Sequence, residues 1–330
     1  MRALDHNLDA DVPARGYQFD PEIAEALAPL AARASGAPVI ERGDWRALRA
    51  SANTNLAFLA GLAPPVGNEV QMRSLSITVD DGAEVAVRWY TRGDERPGSA
   101  VVYAHGGGMI AGNLDVYDEV IAEYVATTGV PFLSVDYRLA PEAKGARPAQ
   151  DVFAAVAWLR DRASELGVRP DRIAIMGDSG GGGVAASAAI IARDLGVGLT
   201  HQVLIYPMLD DRTMTGDAAR KPFLSWTYDM NFTGWSARLG EQLGADNVLP
   251  AVAPARLTDF RGLAPAYIEV GDLDIFRDES IAYAQRLAAA EVPIELHVHA
   301  GAPHGFERFA PTCQLAQRAL NDRLRIIKSI

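Results

Sequence analysis

Gly177-Asp178-Ser179-Gly180-Gly181 sets a serine between glycines in a G-x-S-x-G pattern. The apolar run Ile173-Ala174-Ile175-Met176 precedes it, and the small residues Val184-Ala185-Ala186-Ser187-Ala188 follow. That order reads as strand, sharp turn, helix. A serine on such a turn stands above the sheet edge, where its hydroxyl can attack a carbonyl carbon. The glycines permit a strained turn and a close approach of backbones. Alone, the same pattern also describes a tight strand-to-helix connection capped by a serine. Three further groups of residues decide between these readings.

His105-Gly106-Gly107-Gly108 follows the apolar run Ala100-Val101-Val102-Tyr103-Ala104. Attack on a carbonyl puts negative charge on its oxygen, and backbone N–H groups aimed there stabilise the transition state more than the ground state. Pairing this loop with the residue after the nucleophile gives the N–H groups of Gly106, Gly107 and Gly180 as the oxyanion donors. His105 reads as an internal hydrogen-bonding residue that shapes the loop. Pro303-His304-Gly305-Phe306 follows a strand-like stretch at 294–299. A neutral imidazole beyond a strand end can take the serine proton and return it to the leaving group. Gly271 to Glu279 follows another strand-like stretch, 266–270, and carries four acids: Asp272, Asp274, Asp278 and Glu279. A carboxylate there would fix the histidine tautomer and stabilise the imidazolium. Asp278 and Glu279 read as first-turn helix acids, favoured by the helix dipole, which leaves Asp272 and Asp274 as contenders. Serine first, then the acid, then histidine is the chain order of a triad on an α/β-hydrolase sheet, unlike the chymotrypsin or subtilisin orders.

With these residues in place, the chain resembles the hormone-sensitive-lipase group of α/β-hydrolases, the bacterial family IV carboxylesterases. The matching motifs are His105-Gly106-Gly107-Gly108, Asp136-Tyr137-Arg138-Leu139-Ala140-Pro141-Glu142, Gly177-Asp178-Ser179-Gly180-Gly181, Asp274-Ile275-Phe276-Arg277-Asp278-Glu279 and His304-Gly305-Phe306. The resemblance implies Ser179 as nucleophile, His304 as base and Asp274 as orienting acid, because the family's acid leads a D-P-L-R-D-E pattern. It implies hydrolysis of small carboxylic esters with short-to-medium acyl chains, no cofactor, and a structural ion-pair turn at 136–142. The chain departs from the family in four places. Gly180 stands where alanine is usual, which suggests a looser turn. Ile275 replaces the proline of the acid motif. Met109 replaces the usual aromatic after the glycine triplet. The stretch 143–149 replaces H-P-F-P-A. These departures bear on substrate range and leave the reaction intact. An amidase or peptidase would use the same triad. A receptor on this fold is the other competitor; the plant gibberellin receptor has lost the histidine that His304 supplies here.

Around these motifs the chain must supply a scaffold. At 330 residues it accommodates one large domain or two average ones. A hydrophobic content of 49% marks it as globular. The net charge of −11 argues against nucleic acid or an anionic membrane as partner, since both require basic patches. Cys313 is the single cysteine, so no intramolecular disulfide forms, and it reads as packing at a helix start. The first seven residues lack a charged-then-apolar signal pattern. No apolar run approaches the ~20 residues that span a bilayer, and the expected location is cytoplasmic.

Apolar residues at helical spacing predict helices over 21–33 and 45–59. The breaker 63–67 marks a boundary. Alternation over 73–79 and 84–90 predicts a hairpin with Asp80-Asp81-Gly82 at its turn. Strands are then expected at 100–104, 131–136, 172–176, 201–206, 266–270 and 293–298. Helices are expected at 117–127, 149–166, 181–193 and 312–327. This alternation predicts an α/β-hydrolase fold, a mostly parallel sheet covered by helices, with ligands beyond the carboxyl ends of the strands. The divisions are a helical cap segment at 1–68, core at 69–209, a cap insertion at 210–262 and core again at 263–330. The insertion is rich in aromatics and methionine; Met109, Tyr206, Phe223 and Trp226 are the candidate pocket residues. His297 and His299 face one side of their strand, but no nearby acid or cysteine is read as completing a site, and no metal is expected. The strand at 293–298 ends the series, and an open edge there would allow a homodimer.

Overall fold

The computed structural model describes residues 16–34, 39–62, 69–93 and 97–330. The breaker at 63–67 and the first seven residues lie outside the described residues. Chain order is α1 (Pro21–Ala34), α2 (Trp45–Ala60), β1 (Val70–Thr78), β2 (Glu84–Arg92), β3 (Gly98–Ala104), α3 (Asp118–Thr128), β4 (Phe132–Val135), α4 (Arg147–Asp161), β5 (Val168–Asp178) and α5 (Ser179–Asp194). There follow β6 (Gln202–Ile205), α6 (Tyr228–Leu239), β7 (Ala266–Gly271), α7 (Arg277–Ala289), β8 (Ile294–His299), α8 (Phe306–Phe309) and α9 (Gln314–Ser329).

All eight strands form one sheet in the order β1-β2-β4-β3-β5-β6-β7-β8. The hairpin β1–β2 joins antiparallel, with Thr78 opposite Glu84, and Gly82 takes a φ of +80° in its turn. β2 alternates buried and exposed positions, as a strand with one wet face does. From β4 to β8 every pairing is parallel. The central strands are covered on both faces, so β4, β6 and β7 are buried at every position. That explains why they read as mostly apolar runs, with Ser134, Gln202 and Glu269 as buried polar exceptions. The parallel strands share one carboxyl end. Ser179 follows β5 directly, Asp274 lies three residues beyond β7, and His304 five beyond β8.

Several boundaries differ from expectation, and β1 begins at Val70, three residues before the expected 73. α4 stops at Asp161, short of 166. The chain then turns through Gly167, at φ +70°, and enters β5 at Val168, four residues before the expected 172. The extra length pairs Val168 with Gly98 across a register shift. α5 begins on Ser179 itself, two residues before the expected start. At the other end of the sheet β8 is the edge strand. The rings of His297 and His299 stack with centroids 6.0 Å apart. Two acids do reach His297, contrary to the sequence reading. Glu295 lies 2.7 Å from His297 Nε2, and Asp322 of α9 3.8 Å from its Nδ1. Arg325 pairs with both carboxylates, which makes the cluster an ion-pair patch. Asp322 escaped notice because it arrives from the next helix.

The segment 210–262 holds one α-helix, α6, and short 3₁₀ turns at Lys221–Phe223, Gly240–Gln242 and Pro254–Arg256. Thr227 caps α6 by accepting from Met230 N–H. α6 meets the N-terminal helices directly: Gly43 N–H donates to Thr233 Oγ1 at 2.9 Å, and Arg42 pairs with Asp229. α2 in turn grips the core, since Arg49 donates to the carbonyls of Ile110 and Ala140 and pairs with Glu142. Arg138 pairs with both Asp81 and buried Asp151, so the 136–142 stretch is an ion-paired turn. Cys313 is buried and caps α9. Among the described residues no helix is long and apolar enough to cross a membrane.

Candidate active site

The turn from β5 into α5 is too tight for ordinary side chains. A Cβ at Gly177 would stand 2.8 Å from the Ala104 carbonyl oxygen, and one at Gly181 2.2 Å from the carbonyl oxygens of Ala104 and His105. Ser179 itself sits at φ +54°, a left-handed conformation that a non-glycine residue adopts only under constraint. The constraint lifts its hydroxyl toward His304. His304 Nε2 lies 2.8 Å from Ser179 Oγ, and His304 Nδ1 lies 2.6 Å from Asp274 Oδ2. Of the two acids left open by residue chemistry, Asp272 is engaged elsewhere, accepting from Gly301 N–H at 2.7 Å. Asp278 and Glu279 lie in the first turn of α7, as expected.

Asp274 is fully buried. Its other oxygen accepts the Phe276 N–H at 2.9 Å, which fixes the carboxylate plane. Arg220, from the segment before α6, donates to the Asp274 carbonyl and pairs with Asp278. Burial disfavours the His304 imidazolium, but the charge and hydrogen bond of Asp274 outweigh it and hold the ring's pKa above its ordinary value.

Asp178, the residue between the first glycine and the serine, escaped the sequence reading. It accepts from Tyr103 Oη and Tyr117 Oη, both at 2.7 Å, and from Gly106 N–H at 2.9 Å. Burial, with the Asp178 charge beside them, pushes both phenols well up and keeps them as donors. This carboxylate ties the nucleophile turn to the glycine loop. It also corrects one expectation: the Gly106 N–H is committed to Asp178 and Tyr117, so it is not available to an oxyanion. Among the described residues, the N–H groups of Gly107, Gly108 and Gly180 have no protein acceptor. Those of Gly108 and Gly180 lie close together, since a Cβ on Gly180 would stand 2.9 Å from Gly108 N and 2.6 Å from Met109 N. The glycine after the nucleophile therefore does not loosen the turn; the loop backbone fills the space a methyl would need. His105 is wholly buried, stacks on Tyr137 at 4.5 Å and contacts the Gly106 carbonyl through Nδ1, which makes it the loop-shaping residue expected.

The four pocket candidates separate. Trp226 lies against the glycine loop, its indole 2.5 Å from where a Gly108 Cβ would be. Met109 follows that loop, is fully buried, and accepts from Arg238 through its sulfur. Tyr206 is 2% exposed, sets its ring edge-on to His304 at 4.6 Å, and donates to Glu307 at 2.6 Å, so it also supports the histidine from behind. Phe223 packs against Phe19 at 5.0 Å and Tyr17 at 6.4 Å, joining the N-terminal segment to the insertion.

Comparison with known proteins agrees with this geometry. Residues 101–308 match the family model described as the alpha/beta hydrolase fold. Esterase LipI of Mycobacterium tuberculosis is 34% identical over 273 residues, covering 81% of this chain and 84% of that one. An ethyl acetate hydrolase of Pseudomonas putida is 32% identical over 260 residues, covering 74% and 79%. Among solved structures, a bacterial heroin esterase superposes with a TM-score of 0.84 at 34% identity, covering 94% of this chain and 98% of that one. The chain thus belongs to the α/β-hydrolase family, in its hormone-sensitive-lipase-like branch of carboxylesterases.

Proposed function

We propose that this carboxylesterase cleaves small esters through an acyl-enzyme intermediate on Ser179. The observation that carries the reading is His304, whose two ring nitrogens are held at 2.8 Å from Ser179 Oγ and 2.6 Å from Asp274 Oδ2. Ser179 Oγ attacks the ester carbonyl while His304 Nε2 takes its proton. The charge that forms on the carbonyl oxygen is met by the N–H groups of Gly107, Gly108 and Gly180, three dipoles already in place before reaction. His304 returns the proton to the departing alcohol oxygen. It then takes a proton from water, whose oxygen attacks the acyl carbon, and passes that proton to Ser179 Oγ as the acyl–Oγ bond breaks, which releases the acid and restores the serine. Asp274 keeps the Nδ1 proton in place throughout and stabilises the imidazolium.

Short-to-medium acyl chains are the substrates this reading favours. Trp226 lies directly on the glycine loop and limits the space beside it, and one relative carries the name ethyl acetate hydrolase. A panel of p-nitrophenyl esters of graded chain length tests this: turnover should peak at short chains, and a peak on long-chain emulsions would overturn it. Ser179→Ala should lower kcat by about a millionfold on the best ester, leaving a folded protein. Wild-type turnover in that variant would remove Ser179 from the mechanism. Matched ester and amide substrates separate esterase from amidase chemistry.

A further inference from the structure

One face of α6 rests on the glycine loop. Asn231, Gly234, Trp235 and Arg238 follow helical spacing along it, and all four are buried. A Cβ on Gly234 would stand 2.8 Å from the Gly108 carbonyl oxygen, so the helix touches the loop with no gap. One turn further on, Arg238 reaches Met109, the next residue of that loop. The Met109 side chain runs across the first turn of α5: its Cε lies 3.7 Å from where a Gly183 Cβ would be, one turn beyond Ser179. Met109, whose N lies 2.6 Å from where a Gly180 Cβ would be, therefore links the Arg238 guanidinium to the residue after Ser179.

Arg238 is fully buried and takes part in no salt bridge among the described residues. Its Nε donates to the Gly145 carbonyl at 2.9 Å, its Nη1 to the Met109 sulfur, and its Nη2 has no partner. Trp235 Nε1, on the same face, is also an unpartnered donor. Thioether sulfur is a weak acceptor, and a buried cation without a counter-charge is costly. Burial pulls the Arg238 pKa down to about 10, which still leaves the group charged at neutral pH. The guanidinium lies 5.8 Å from the Trp235 ring centroid, and a fork whose two terminal nitrogens have only a thioether acceptor between them matches a carboxylate in shape and charge.

We propose that Arg238 is a specificity residue of the substrate site, binding a carboxylate that the ester carries a few bonds from its scissile carbonyl once the Met109 thioether swings aside. The proposal rests on hydrolysis at Ser179 and adds a substrate class to it: half-esters of dicarboxylic acids, or esters of hydroxy acids. Met109, unbranched and mobile about three bonds, suits the role of a displaceable partner. An aromatic ring at that position would offer the guanidinium no comparable exit.

The test compares carboxylate esters with carboxamides of the same shape. One arm places the charge on the acyl side, monoethyl glutarate against ethyl 4-carbamoylbutanoate. The other places it on the alcohol side, carboxymethyl butyrate against carbamoylmethyl butyrate. The readout is the ratio of kcat/KM, anion over amide, for the wild type, Arg238→Gln and Arg238→Met, each checked for folding by thermal melting. The wild type should favour the carboxylate in one arm, and that arm identifies which side carries the charge. Both variants should lower that ratio by about tenfold or more, the scale of a charged hydrogen bond. A residue that merely clamps α6 to the core would change both substrates alike and leave the ratio unmoved. A wild type that prefers the carboxamide in both arms, or a ratio that neither variant changes, overturns the proposal. If neither variant folds, the wild-type preference alone decides it. Failure of the underlying reading shows separately, as wild-type turnover of the carboxamide esters that survives Ser179→Ala.

Discussion

The first turn of α5 and the inner face of α6 touch the same loop, residues 106–109, and they are built in opposite ways. On the α5 side the contacts are backbone to backbone. Gly177, Gly180 and Gly181 each leave space that a methyl would take from a main-chain atom of residues 104–109. The one acid there, Asp178, is filled by two phenols and an N–H. On the α6 side one backbone contact remains, Gly234 against the Gly108 carbonyl, but Trp226, just before the helix, and Arg238 reach the loop through large side chains, and Trp226 Nε1 and Arg238 Nη2 are left without partners. Positions set by main-chain contacts hold the reacting atoms to within tenths of an ångström and tolerate almost no substitution. Positions set by side chains can be remade, which suits a surface that selects substrates. The comparison predicts that changes on the first side cost turnover and changes on the second alter preference.

The largest effect after loss of the nucleophile should come from Asp274→Asn. The amide cannot stabilise the imidazolium, and kcat should fall by about ten-thousandfold. The same change moves the pH profile. His304 must be neutral to accept the serine proton, so activity rises with pH. Because Asp274 favours the protonated ring, the wild-type midpoint should lie above the ~6.5 of an ordinary histidine. In Asp274→Asn it should move down. A wild-type profile flat from pH 5 to 9 would contradict the role of His304 as base.

Gly180→Ala probes the backbone contact. Its methyl would lie 2.6 Å from Met109 N, so the loop must recede and carry its N–H groups off target. A fall in kcat of about ten- to a hundredfold, with KM little changed, is expected. Unchanged kinetics would show that the loop yields without losing its donors. Tyr206→Phe removes only the hydrogen bond to Glu307 behind His304. It should lower kcat by about fivefold, the scale of one net hydrogen bond. Phe223→Ala, which loosens a contact with Phe19 on the far side of the insertion, should change kcat on short esters by less than about threefold. Trp226→Ala should act mainly through KM and chain-length preference.

This division also explains what could be read from sequence. The tight turn at 177–181, the glycine loop and the strand-end positions of Asp274 and His304 were legible because main-chain geometry demands particular residue types at fixed spacing. The parallel strands were legible because burial on both faces leaves few polar positions, Ser134, Gln202 and Glu269 among them. Gly106 was misassigned because a glycine triplet does not reveal which N–H faces the substrate; that depends on Asp178, whose partners Tyr103 and Tyr117 come from other elements. The contact of Tyr206 with His304 and Glu307 was not legible for a related reason, since Glu307 arrives from beyond β8. Arg238 and Asp322 were invisible, since nothing in the local sequence of α6 or α9 says what each faces. The extra residues of β5 were missed because Val168 joins the sheet across an irregular pairing with Gly98.

The most direct measurement is covalent capture with a p-nitrophenyl phosphonate, followed by mass spectrometry of the digested protein. The account predicts one equivalent of label, on the peptide containing Ser179, with reaction slowed strongly in His304→Ala. Label on another residue, or none while the protein still turns over esters, would contradict it.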